Sequence, residues 1–364
     1  MATPAPISFA RGAPSLDIID VDGLHEAAHR AFNNDPGGAT AYGTAVGYVP
    51  LRRWIAERHG VQENQVLVTN GSMQADAFLF DELVGPGDCV VVERPSYDRT
   101  LLSLRQHGAE LTAIALEPDG IDVDALERAL VDGLRPKLAH IIPNFHNPAG
   151  YTLSGPKREH LLLLAREYDF LIFEDDPYIA LRFRGETQPT MLSLDAGVGN
   201  VVYASSFSKT VCPGIRVGFL IGPSELIARI VVRATNTYIS PSMVDAAIVY
   251  EFCASGSLDR SIERVKGALQ ERVRTLSDAL SEQIPGASFV APEGGYFLWL
   301  SLPSGLDPGA VLKAAADQGL ALVSGDDFVL DGGSGAVRLA FSGVTPAEIR
   351  EGVGRLAAAL ATLA

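Results

Sequence analysis

Seven short apolar runs punctuate the middle of the chain: "QVLVTN", "CVVVERP", "LTAIAL", "LAHIIPN", "FLIFEDD", "NVVYASS" and "RVGFLIG". Segments of helical periodicity lie between several of them, such as "SGPKREHLLLLAREYD" with its apolar stripe and charged flank. Strand-like runs that alternate with helices predict an α/β sheet covered by helices on its faces. "NVVYASS" and "RVGFLIG" stand too close together for a helical crossover, so that pair is expected to be antiparallel or joined across a turn.

After about residue 255 the texture changes. A long polar-faced helical pattern, "LDRSIERVKGALQERVRTLSDALSEQI", precedes the runs "GASFVAPEGGYFLWLSLP", "GLALVSGDDFV" and "AVRLAFSG", an α+β arrangement suited to a smaller second domain. A chain of 364 residues has room for both. The expected division is an N-terminal segment over 1–30 that belongs with the small domain, a large domain over 31–262 and a small C-terminal domain over 263–364.

The formal charge of −15 argues against a general electrostatic hold on nucleic acid or an anionic membrane. Cys89, Cys212 and Cys253 lie far apart without CxxC spacing, so reduced thiols are expected rather than a disulfide framework or a zinc site. The start of the chain lacks a basic stretch followed by an apolar core, and no run reaches the roughly 18 apolar residues of a spanning helix. A cytoplasmic protein is expected.

The polar punctuation falls at the carboxyl ends of the strand-like runs, where open α/β sheets bind ligands. "VVYASSFSKTVCPGIRVGFL" places Lys209 just beyond an apolar run, where an ammonium must be paired, solvated or neutralised. "VTNGSMQADAFLF" passes through Asn70, Gly71 and Ser72 into a helix whose free amides suit a phosphate, although capping alone explains the same residues. "IFEDDPY" ends a strand in Glu174, Asp175 and Asp176, either a solvated turn or a buried carboxylate facing a cationic ring. "IIPNFHNPAG" carries His146, which reads as structural or solvent-facing, because no second metal ligand stands at a suitable spacing.

Together these motifs form an ordered set: NGSxQ-like, RPSY, HNPAG, EDDPY, SFSK and GIRVG. In that order the chain resembles the class I/II aminotransferases of the pyridoxal-phosphate fold type I group. It is most similar to the branch holding 2-aminoadipate and kynurenine aminotransferases and the aminotransferase-like domains of MocR regulators. The resemblance runs from "ISFARGAPS" to "AVRLAFSG" and implies a large domain with a mostly parallel seven-stranded sheet plus a smaller α+β domain. It implies pyridoxal 5′-phosphate as cofactor, an amino acid and a 2-oxo acid as substrates, no metal, and a homodimer with shared active sites.

By the same resemblance, Lys209 matches the lysine that binds the cofactor covalently and then shuttles a proton. Ser206, Ser208 and Arg216 match phosphate-binding positions, with Ser72 and the backbone of Met73 completing the cup. Asp175 matches the carboxylate on the pyridine nitrogen, Asn147 and Tyr178 the pair on the ring's phenolic oxygen, and Tyr97 the aromatic stacked on the ring. Tyr42 matches a tyrosine sent to the partner subunit's phosphate, and Arg338 the arginine that grips the substrate carboxylate, beside Asn147. Arg11, in a segment that closes over substrate in such enzymes, could meet a substrate carboxylate.

The chain departs from this pattern at Met73 and Met243, where glutamines are common, and in lacking the second proline of the N-terminal motif. Few further basic residues stand near the matched motifs, which favours broad specificity with an apolar preference. Elimination, cyclisation or oxidation of an amino acid on the same scaffold is the alternative that these motifs also serve. A silent ligand-sensing module of the MocR kind would be expected to carry a winged-helix region ahead of "ISFARGAPS", which begins at residue 7.

Overall fold

A computed structural model describes residues 5–363. Its centre is an eight-stranded sheet with the order Val66–Thr69, Gly218–Ile221, Val201–Ser206, Leu171–Asp175, Leu138–Ile141, Cys89–Arg94, Glu110–Glu117, Gly120–Ile121. All seven runs read from the sequence are present as strands. The eighth, Gly120–Ile121, is a two-residue edge strand antiparallel to Glu110–Glu117, too short to leave a pattern in the sequence. The strands from Glu110–Glu117 through Val201–Ser206 pair in parallel, and Gly218–Ile221 runs antiparallel to both of its neighbours, as the short link to Val201–Ser206 requires.

The strand runs are predominantly apolar because helices cover both faces. Val66–Thr69, Leu138–Ile141 and Val201–Ser206 are buried at every residue. One face packs Phe78, Leu79 and Phe80 of the helix Ser72–Leu83 with Ile227 and Ile230 of Ser224–Tyr238. Leu126 and Leu130 of Val123–Val131 join Leu161 and Leu162 of Gly155–Glu167 in a further cluster.

The helix Ser257–Gln283 links two cores. Its first turns, through Leu258 and Ile262, pack against Tyr203 and Phe219 of the large sheet. From Val265 onward it packs against the C-terminal layer, where Phe297–Ser301 and Val323–Ser324 both pair antiparallel with Ala336–Ala340. The N-terminal strand Ile7–Ser8 joins Leu320–Ala321 in parallel, which brings residues 9–15 over the carboxyl ends of the large sheet's strands. Among the described residues no helix is long and apolar enough to cross a membrane, and the three cysteines are free.

Candidate active site

A cavity of about 510 Å³ opens at those strand ends. Ser72, Met73, Tyr97, Asn147, Asp175, Tyr178, Ser206, Ser208, Lys209, Arg216, Arg338 and Arg11 all border it. Of the residues expected at the site, Tyr42 alone stands elsewhere, 91% exposed on the surface of the chain.

Lys209 follows the strand Val201–Ser206, and the hydroxyl of Tyr296 donates to its carbonyl at 3.0 Å. Its Nζ donates to the Gly12 carbonyl at 2.9 Å and lies 5.6 Å and 5.3 Å from the ring centres of Tyr178 and Tyr296. Burial, reinforced by the guanidinium groups of Arg216 and Arg338, lowers its pKa to about 8 against the opposing pull of Asp175. A lysine in this state holds a usable neutral fraction near neutral pH.

Beside it lies a cup of donors. Ser206 Oγ donates to Ser208 Oγ at 2.9 Å, and Arg216 Nη1 donates to Ser208 Oγ at 3.3 Å. Arg216 holds the left-handed conformation at φ 48°, which costs a non-glycine residue about 1 kcal/mol or more. The turn folds its side chain back onto Ser208 and the Asn70 carbonyl. Opposite stands the start of the helix Ser72–Leu83, with Gly71 at φ 87° before it. Gln74 Oε1 accepts from the Asn70 amide at 2.8 Å and so secures the turn, while the Met73 side chain is half exposed and leaves its backbone to the cup. A methyl group on Gly218 would fall 2.5 Å from the Ser72 amide nitrogen, so the cup closes only around a glycine there.

At the other end, all three acids of "EDD" are buried, and alternation along the strand separates their tasks. Glu174 turns away and accepts the amides of Met191 and Leu192 at 2.8 Å and 2.9 Å. Asp176 accepts from Asn144 Nδ2 at 2.8 Å. Both belong to a network around the buried Arg158, whose guanidinium donates to Leu153, Pro143, Pro189 and Asn144. Asp175 alone faces the cavity. Its Oδ2 lies 3.4 Å from His140 Nε2, and its Oδ1 has no partner among the described residues. His146 is buried rather than solvent-facing, with Nε2 at 3.1 Å from Glu93 and Nδ1 accepting from the Ala149 amide.

Arg338 stands in the middle of Ala336–Ala340, 8% exposed between the rings of Phe297 and Phe328 at 4.5 Å and 4.8 Å. Nη1 donates to Asn147 Oδ1 at 2.9 Å and Nη2 to the Ala10 carbonyl at 2.8 Å, while Nε has no partner among the described residues. Burial lifts Tyr178 well above the usual phenol range and Tyr97 to about 12, so both stay protonated.

The sequence reading missed several wall residues. Asp76, Arg99, Ile142 and Phe297 also line the cavity. Arg99, 3.4 Å from Asp98, adds a second cation to Arg11 and counts against the apolar preference, though not against broad specificity. Arg99 stood directly after "RPSYD" and was visible as a charge, but nothing local gave its direction.

These residues fit pyridoxal phosphate. The Arg216 and serine cup would hold its phosphate, the Lys209 amine would take its carbonyl, and the Asp175 Oδ1 left without a partner among the described residues would face its pyridine nitrogen. The aminotransferase class I and II family matches residues 6–356. An aromatic-amino-acid aminotransferase from Thermococcus litoralis is 33% identical over 363 residues, covering 96% of this chain and 87% of the relative. The crystal structure of the alpha-aminoadipate aminotransferase of Thermus thermophilus, complexed with N-(5′-phosphopyridoxyl)-L-leucine, superposes with a TM-score of 0.94 at 32% identity, over 98% of this chain and 92% of that one. A multiple substrate aminotransferase from Thermococcus profundus gives 0.94 at 33% identity, over 99% and 92%. The chain thus belongs to the class I and II aminotransferases, fold type I enzymes that use pyridoxal phosphate to transfer amino groups.

Proposed function

We propose that the chain transaminates an L-amino acid with an apolar or aromatic side chain and returns the amino group to a 2-oxo acid through the same cavity. The observation that carries this reading is the convergence on one cavity of the Lys209 amine, the free Asp175 oxygen and the Arg338 guanidinium with its unpartnered Nε. Bound pyridoxal phosphate supplies an electron sink for the pair released when the Cα–H bond breaks.

The chain's own residues do the rest. Arg338 grips the α-carboxylate with its planar fork, exchanging the Ala10 or Asn147 oxygen for a substrate oxygen. That grip orients Cα toward Lys209, whose neutral amine takes the proton and later returns it. Asp175 keeps the ring nitrogen protonated, Asn147 and Tyr178 hold the ring oxygen, and Tyr97 stacks on the ring. Arg216, Ser206, Ser208, Ser72 and the Met73 amide anchor the phosphate. Ile142 and Phe297 give the wall an apolar stretch, while Arg11 and Arg99 offer cations to an acidic 2-oxo acid. That mixture suits two different substrates taken in turn.

Tyr42, 91% exposed in the single chain, is proposed to complete the phosphate site of a second copy, so that the working enzyme is a homodimer. The division into 1–30, 31–262 and 263–364 and a cytoplasmic location belong to the same proposal.

The test is the absorption spectrum of the protein with pyridoxal phosphate, before and after single amino acids, with Lys209→Ala as control. The expected result is a band at roughly 400 nm that gives way to one at roughly 330 nm and returns on adding 2-oxoglutarate or pyruvate. Ammonia or keto acid released without an acceptor would instead establish elimination or oxidation.

A further inference from the structure

The helix Ser72–Leu83 buries Ala75, Asp76, Phe78, Leu79 and Phe80. Asp76 is out of character on that face. It is 7% exposed, it borders the cavity, and its Oδ1 has no hydrogen-bond partner among the described residues. A buried carboxyl oxygen without a partner is destabilising, and an aliphatic residue would fill the place without that cost. Asp175, across the same cavity, has an unpartnered Oδ1 as well. Two buried carboxyl groups facing one cavity do not both ionise readily.

Other ionisable groups share the cavity with Asp76 and Asp175. Tyr97, Asp98 and Arg99, at the start of the helix Asp98–Gln106, stand on one wall, and Arg11, Tyr178, Lys209, Arg216 and Arg338 complete the set. Arg229 and Arg233 of Ser224–Tyr238 are engaged by Glu82, and Tyr238 packs on Phe78. The adjoining strands Val66–Thr69 and Gly218–Ile221 contain no ionisable side chain, and Tyr203 of Val201–Ser206 packs instead on His59 and Phe219.

We propose that Asp76 is a positioning residue for the pyridine end of the cofactor: it holds a proton beside Asp175, leaving Asp175 as the single anion for the ring nitrogen, and gives that proton to solvent as the pH rises. Burial first, and the neighbouring Asp175 second, push the Asp76 carboxyl well above the usual carboxylate range, in agreement with this division of charge. Once ionised, Asp76 adds a second negative charge to the cavity. The ring nitrogen then binds its proton more tightly, and the absorption of the lysine-bound cofactor changes with it. The inference rests on the cofactor reading above.

The experiment compares the wild-type holoenzyme with Asp76→Asn, which is isosteric and always neutral, and with Asp76→Leu. Visible absorbance is titrated from pH 5 to 10, and the melting temperature of each apo-protein is followed over the same range. The expected result is a transition in the wild-type band that is absent from both variants, or a midpoint moved by about one pH unit. The apo-form of Asp76→Leu is expected to melt higher than wild type, increasingly so as the pH rises. Coincident absorbance curves in the three loaded proteins would overturn the inference while leaving the cofactor reading intact. A wild-type protein that takes up no pyridoxal phosphate would overturn both.

Discussion

The lysine that must be neutral in order to react is surrounded by cations, and the consequence is measurable in the cofactor-free protein. A fall in the Lys209 pKa from 10.5 to about 8 corresponds to about 3 kcal/mol of disfavoured protonation. At pH 7.5 it raises the neutral fraction from about 0.1% to about a quarter, so the form of Lys209 able to attack an aldehyde is about 200-fold more abundant than in an ordinary lysine. Because the neutral amine attacks, the capture rate rises with pH through about 8 and levels above it. The perturbation that isolates the electrostatic part is Arg338→Leu, which removes one cation and leaves the phosphate cup intact. Burial is the leading cause and Arg216 the next, so the midpoint is expected to rise by only about half a unit to one unit. Capture at pH 7.5 then slows about three- to eightfold.

The assay is rapid mixing of apo-protein with pyridoxal phosphate, following the visible band from pH 6 to 10.5. Arg338→Lys is the control, since it keeps the charge while losing the fork to Asn147 and Ala10. A wild-type midpoint near 10.5 would refute the reasoning. So would an equal displacement in the leucine and lysine variants, which would trace the effect to lost packing rather than to charge. The same depressed pKa leaves the unfolded chain binding the proton more tightly, so apo-protein stability gains from this group as the pH rises from about 8 to 10.5.

Three further outcomes follow from the geometry. Arg338→Lys retains the visible band but loses the bidentate grip, with kcat/KM in transamination falling about 100-fold in steady-state assays. Gly218→Ala places a methyl group 2.5 Å from the Ser72 amide, so cofactor affinity read by equilibrium titration falls at least about tenfold, with about 1–3 kcal/mol of stability lost. Arg158→Met strands Glu174 and Asp176 and costs about 3–5 kcal/mol in urea unfolding at pH 8. Burial raises Glu174 to about 7, so the loss is smaller at pH 5.5, where that carboxyl is neutral in the variant.

The strands were legible because both of their faces are buried, which turns each into an apolar run bounded by turn residues. The residues gathered at their ends were legible because each motif is local: "NGS", "EDDPY" and "SFSK" each carry their residues within a few positions, and each motif borders the cavity. What stayed hidden depends on tertiary neighbours. Arg158 reads as one more charge on an amphipathic helix, yet it is fully buried and ties four oxygens from three segments. Tyr296 supports the Lys209 carbonyl from 87 residues away. Asp76 had a signal that was readable: it lies four positions after Ser72, on the helix face that begins at the phosphate cup, amid apolar neighbours. The signal becomes an argument only once Asp175 is seen to share the cavity.

The site's cohesion is itself a tertiary property. Arg338 comes from the C-terminal layer, Lys209 and Asp175 from the large sheet, and the carbonyls of Ala10 and Gly12 from the N-terminal segment. The register Ile7↔Leu320 carries that segment to the cavity, and Ser342 Oγ donates to the Ala13 carbonyl at 3.0 Å to hold it there. The segment's two carbonyls thus occupy donors on Lys209 and Arg338. On the proposed assignment, cofactor attachment would replace the Lys209–Gly12 bond, and a substrate carboxylate would compete for Arg338 against Ala10 or Asn147. At Arg338 the exchange trades one hydrogen bond for another of equal or greater strength, because a carboxylate accepts more strongly than an amide carbonyl. The site is therefore prepaired without being blocked: its cations are desolvated and aimed beforehand, and the incoming anion meets partners whose ordering the fold has already imposed.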